Sequence, residues 1–124
     1  MRFDKDVMRE ILLAVEASDE DPRGWIEISI QGRSNQEVAY HVQLLDEAGF
    51  IEAADLSSTT GYDWMPKRLT YAGQELLDTI REPEIWRATK ETAKRAGAFS
   101  VQALFEIGKA YTKQKLQERG VHIP

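Results

Sequence analysis

The 124-residue sequence contains no cysteine. This excludes a disulfide framework, a thiolate nucleophile and a zinc site built on thiolates. It fits a reducing compartment, and the expected localisation is cytoplasmic. Long apolar runs are missing too: nothing approaches the roughly 18 consecutive apolar residues that mark a membrane span. The N-terminal stretch MRFDKDVMREILLAVEAS mixes acids with bases and has helical apolar spacing, so it does not read as a signal peptide. There are only two histidines, His41 and His122. His41 falls toward the inner side of a helical pattern, and His122 lies in the tail that follows Gly120. No phosphate-cradling glycine motif is present. Ser57, Ser58, Thr59 and Thr60 have no histidine base near them in sequence, and Asp19, Glu20 and Asp21 lack the spacing of a calcium loop. An enzyme is therefore not expected, and neither a metal nor a cofactor is called for.

Positive charge is scarce in the first half. Residues 1–66 carry 5 bases and 14 acids, and residues 67–124 carry 11 bases and 7 acids. The net charge of −5 argues mildly against indiscriminate nucleic-acid binding. Between Ser34 and Ala48 there is no Lys or Arg at all.

What is present is an alternation of helical and strand-like patterns. Val7, Ile11, Leu12 and Val15 recur at helical spacing, which predicts a helix over 4–17 with Asp4 or Asp6 as its cap. In WIEISIQG, Ile26, Ile28 and Ile30 alternate with Glu27 and Ser29, which predicts a half-buried strand over 25–30. Ser34 and Glu37 have the spacing of a capping box, and Gly49 stands where a left-handed residue ends a helix, so 34–48 is predicted helical. Strands are expected at Phe50–Asp55 and Trp64–Leu69, with 56–63 as the loop between them; Pro66 weakens the second strand or puts it at an edge. Thr70 caps a helix to about Arg81. Pro83 suits the start of another, from about Glu84 to Arg95, and Ser100 caps a last one from Val101 to about Arg119. Trp25, Trp64 and Trp86 are expected as core or interface anchors.

This order is nearly that of a winged helix-turn-helix. EVAYHVQLLDEAGFIEA resembles the end of the tri-helical unit of small bacterial winged-helix regulators, and RLTYAGQELLDTI resembles the exit after their wing. DKDVMREILLAVE, QEVAYHVQLLDEAGFIEA and DWMPKRLTYAGQELLDTIRE, followed by IW and K, are similar to a family of uncharacterised small bacterial and prophage proteins, the domain-of-unknown-function family numbered twenty-five thirteen. The resemblance implies the fold and an association with mobile elements, but no activity. One departure stands out. Only Gln31, Gly32 and Arg33 separate the predicted first strand from Ser34, too few for the helix that normally braces the recognition helix.

The expected architecture is therefore α/β and winged-helix-like: helix, strand, helix and a two-stranded wing over 1–82, with a helical extension over 83–124 packed on it as a single globular unit. Two functions are open. The first is a DNA-binding transcriptional regulator or accessory protein of a phage or mobile element, acting on double-stranded DNA and dimerising through the helix 101–116. Gln36, Tyr40 and Gln43 would face the groove, beside Asn35, Ala39, Asp46 and Glu47; Lys67 and Arg68 on the wing, and Arg87 and Lys90 further on, would neutralise phosphate. The second is a protein-interaction module that keeps the fold without DNA binding and captures a host or phage protein. The acidic first half favours the second; the resemblance favours the first.

Overall fold

The computed structural model describes residues 1–98 and 100–120, so His122 lies outside the described residues. Among the described residues the architecture is mixed α/β, with five helices and a two-stranded antiparallel sheet. The chain divides into two compact units, Met1–Glu75 and Leu76–Pro124.

The first unit begins with α1, Lys5–Ala17, capped by Asp4, whose side chain accepts the N–H groups of Asp6 and Val7. Its buried stripe is Val7, Met8, Ile11, Leu12 and Val15, and each such side chain contributes about 1.5–3 kcal/mol of burial. Next comes α2, Asn35–Glu47, capped by Ser34, whose Oγ accepts the N–H of Glu37 at 3.1 Å. The Glu37 carboxylate turns to the Arg33 guanidinium at 3.3 Å. At the other end, Gly49 has φ +84°; its N–H donates to Asp46 O, and that of Phe50 to Leu45 O, both at 3.0 Å. These two bonds form a Schellman motif and satisfy carbonyls the helix would leave open.

The turn launches β1, Ile51–Asp55, which pairs antiparallel with β2, Trp64–Leu69. Glu52 faces Arg68 and Ala53 faces Pro66, so Lys67 is the extra residue of a bulge. The chain then enters α3, Tyr71–Ile80. Thr70 pins this junction: its hydroxyl donates to Gly49 O at 2.6 Å and accepts the Gly73 N–H at 3.1 Å, and its own N–H donates to Phe50 O at 3.1 Å.

Two expectations need correction. Residues 25–30 are not a strand. The segment makes one bond to the sheet, from Ile26 N–H to Pro66 O at 2.8 Å. Proline has no N–H to return, so the rung is half made and the ladder does not propagate. Ile26 and Ile30 are still buried, but Trp25 is 52% exposed and anchors no core. The bracing helix is missing among the described residues, as the short spacing before Ser34 predicts: α1 ends at Ala17 and the next helix starts at Asn35. The lone extended segment takes its place in the chain.

The second unit contains the end of α3, then α4, Pro83–Ala96, and α5, Val101–Glu118. Glu82 caps α4 with its carboxylate on the N–H groups of Glu84 and Ile85, and Gly97, at φ +68°, ends it. Ser100 caps α5. The two helices are held by a 2.6 Å bond between Thr92 Oγ1 and the Tyr111 hydroxyl, and by Lys115, which reaches Glu82 and Glu84 at 3.2 and 3.0 Å. Gly108 lies so close to the end of α3 that a Cβ there would be 2.7 Å from Thr79 Cγ2. Trp86 is buried in this unit, as expected of an anchor.

Candidate functional site

The residues expected to read a groove lie on α2. Asn35, Gln36 and Glu47 are exposed, while Tyr40, Gln43 and Asp46 are half-buried. Ala39, expected on the same outer face, is buried at 3% exposure. The reason is the loop between the strands, which the sequence leaves without a contact. Its Tyr62 reaches over α2, the hydroxyl donating to Gln43 Oε1 and lying 3.4 Å from the Ala39 carbonyl oxygen. The other end of the Gln43 amide donates from Nε2 to Glu47 Oε1 at 3.2 Å. Both ends of that amide are thus engaged within the chain, whereas bidentate reading of adenine needs both.

The electrostatics around this clasp are negative. Burial raises the pKa of the Tyr62 phenol above its ordinary value, and the nearby carboxylates of Asp55 and Glu47 push it the same way. Asp46 does structural work, its Oδ1 accepting the Ala53 N–H at 3.0 Å beside the bulge. Asp55 accepts the Ser57 N–H at 2.9 Å; its carboxyl is held below its usual range by hydrogen bonding to the Ser57 side chain and then to its backbone.

The cations of this unit are largely committed. Arg68 forms a two-pronged pair with Glu52, Nη2 to Oε1 at 2.7 Å and Nε to Oε2 at 3.2 Å, and its Nη1 donates to Leu69 O. Arg33, the base nearest the start of α2, bridges Asp4 at 3.0 Å and Glu37 at 3.3 Å. Arg23 is held by Asp21 at 2.7 Å. Lys67, half-buried, occupies the bulge.

His41 is fully buried. Its Nε2 accepts the Asp4 N–H at 2.7 Å, and its Nδ1 lies 2.8 Å from the Glu37 carbonyl oxygen. A backbone N–H can only donate and a carbonyl can only accept, so the ring is the neutral Nδ1–H tautomer. Phe3 stacks on it with centroids 5.7 Å apart, and Tyr40 meets it edge-on at 5.8 Å. His41 is a satisfied core residue joining the start of α1 to α2, and Tyr40 is partly occupied in packing it.

In the second unit, Arg87 is exposed and Lys90 lies 5.4 Å from the Trp86 ring centroid. Lys109 pairs with Glu106 at 2.9 Å, and Lys115 with Glu82 and Glu84. Glu91 is exposed within the same run of bases on α4. The basic residues thus form a mixed surface.

The sequence matches the model of a family described as hypothetical protein, DUF2513, over residues 2–99. The chain belongs to this family. A relative of this DUF2513 chain, described as an uncharacterized protein of Haemophilus influenzae, is 33% identical over 117 residues, covering 94% of the chain and 99% of the relative. No solved structure matches. Among the described residues of the DUF2513 chain, no His, Asp or Glu cluster is placed to hold a metal, and no helix is long and apolar enough to cross a membrane.

Proposed function

We propose that this DUF2513 protein is a protein-interaction module. It retains a winged-helix-like order of elements and presents an acidic surface on its first unit to a basic protein partner. The observation that carries the reading is the commitment of the groove-reading groups: Gln43 is held at both ends by Tyr62 and Glu47, and Arg68 by Glu52. Specific DNA binding draws much of its affinity from cations that neutralise phosphate. Here the cations beside α2 already neutralise carboxylates. Glu27 and Glu47 remain exposed on the same unit. Along α5, Ile107, Tyr111 and Leu116 stay partly exposed, which supports a homodimer seam as an accessory feature.

The test has two arms. Fluorescence anisotropy against a broad panel of duplexes at low salt is expected to stay at a salt-sensitive, sequence-independent background. Affinity capture from a bacterial lysate is expected to retain a basic protein on the wild type and to lose it on the Glu27→Lys/Glu47→Lys double variant. Asp46 is left alone because it staples Ala53. Tight binding to one duplex over the others would overturn the reading in favour of a DNA-binding regulator.

A further inference from the structure

The sheet has an open edge. Leu56 N–H donates to Asp63 O at 2.9 Å, which makes these residues a bonded pair. Bonded and non-bonded pairs alternate in an antiparallel ladder. With Ala54 opposite Met65 the next bonded pair, the Asp55/Trp64 and Ala53/Pro66 pairs turn the N–H and C=O groups of β2 outward. The outward direction is verified at Pro66, whose carbonyl accepts from Ile26. The next outward rung would join Trp64 to Ile28. Among the described residues that rung is not made. A groove of about 730 Å³ lies there, lined by Glu27, Ile28 and Ser29 from the extended segment and by Asp63, Trp64 and Met65 from the wing. This is within the roughly 300–1,000 Å³ of a binding pocket.

Resting on the reading of this protein as an acidic interaction module, we infer that the groove binds a short extended peptide carrying Lys or Arg at alternate positions, its backbone pairing with the open edge at Trp64. Main-chain bonds to an exposed strand supply affinity, and alternate side chains supply selectivity. Trp64 and Ile28 both line the groove, and no backbone bond joins them. The lining includes Glu27 and Asp63 and no Lys or Arg, so it complements a cationic segment and repels an acidic one. Ser58, Thr60 and Asn35 add polar side chains along the same lining.

The probe is a capped ten-residue peptide of alternating Val and Lys, titrated into the full chain and followed by amide NMR. The expected result is saturable shifts centred on Trp64 and Ile28, and protection of the Trp64 amide from exchange only when peptide is bound. N-methylation of alternate peptide amides on the pairing edge is expected to weaken binding tenfold or more, and so is Glu27→Lys. A Val–Glu peptide is expected not to bind. Equal binding of methylated and unmethylated peptides would overturn the edge-pairing mode while leaving the acidic-module reading intact. A Trp64 amide already protected in the free chain would show the segment 25–30 zipped onto β2, and would also overturn the inference. Shifts at Trp64 that depend on protein concentration without peptide would assign the edge to a second copy. Loss of partner capture by Glu27→Lys/Glu47→Lys, with no peptide binding at the groove, would keep the module and reject this site.

Discussion

A Cβ on Gly73 would lie 1.8 Å from the carbonyl oxygen of Phe50. The first turn of α3 is therefore pressed against the turn that ends α2, and no rotamer can relieve a clash with backbone. Gly73→Ala is expected to destabilise the chain by about 3 kcal/mol, at the upper end of overpacking effects. Gly97→Ala is the control: it meets nothing within 4 Å but has φ +68°, so only the left-handed penalty of about 1–2 kcal/mol applies. Urea unfolding should show both midpoints lowered at unchanged slope, Gly73→Ala by more.

His41→Ala removes a buried ring and strands the Asp4 N–H. The cavity and the unpaired donor together are expected to cost about 3 kcal/mol. Long-range ¹⁵N correlation in the wild type should show the proton on Nδ1 and none on Nε2; the opposite pattern would contradict the Asp4 bond.

Burial works against ionisation of Asp4, but the N–H groups of Val7 and Asp6, with Arg33, outweigh it and hold the carboxyl below its ordinary value of 3.8. A carboxyl with a lower pKa folded than unfolded binds fewer protons in the folded state. Its stabilisation is full above the ordinary aspartate range and is lost as pH falls through the folded value. Asp4→Asn keeps a good cap and removes only the charge. The variant should be less stable than wild type at pH 7, by up to about 1 kcal/mol for a partly exposed pair. Melting curves of the two should converge in acid, once the wild-type carboxyl is protonated.

Tyr62→Phe removes the hydroxyl that clasps Gln43. Stability is expected to fall by about 1 kcal/mol or less, as for one partly exposed hydrogen bond. The sharper effect should be on motion: backbone order parameters in 56–63 should drop, and the Gln43 side-chain amide should shift. An unchanged loop would mean that the Ser57, Ser58 and Asp63 bonds alone hold the wing.

Much of this fold is legible locally. Ser34, Gly49, Pro83, Gly97 and Ser100 mark helix ends through chemistry confined to a few residues, and the helices end within a residue or two of those marks. The strand expected at 25–30 had the right alternation, and Ile26 and Ile30 are indeed buried, but pairing depends on what lies opposite. Pro66, forty residues away, decides that. Tyr62 was visible as a single aromatic in a small polar loop, yet its partner Gln43 is a tertiary fact. Likewise, the pattern shows that Arg33 and Arg68 are charged but not that Asp4, Glu37 and Glu52 already occupy them.

Pro66 sets a limit on growth as well as on pairing. A strand adding to this edge finds at Pro66 no donor and an acceptor already taken by the Ile26 N–H, with Lys67 bulging beside it. Unshielded edges of this kind template stacking of chain upon chain. This one is long enough to greet a short visitor at Trp64 and too interrupted to seed a fibre, so a single imino acid keeps an adhesive surface from becoming a polymerising one.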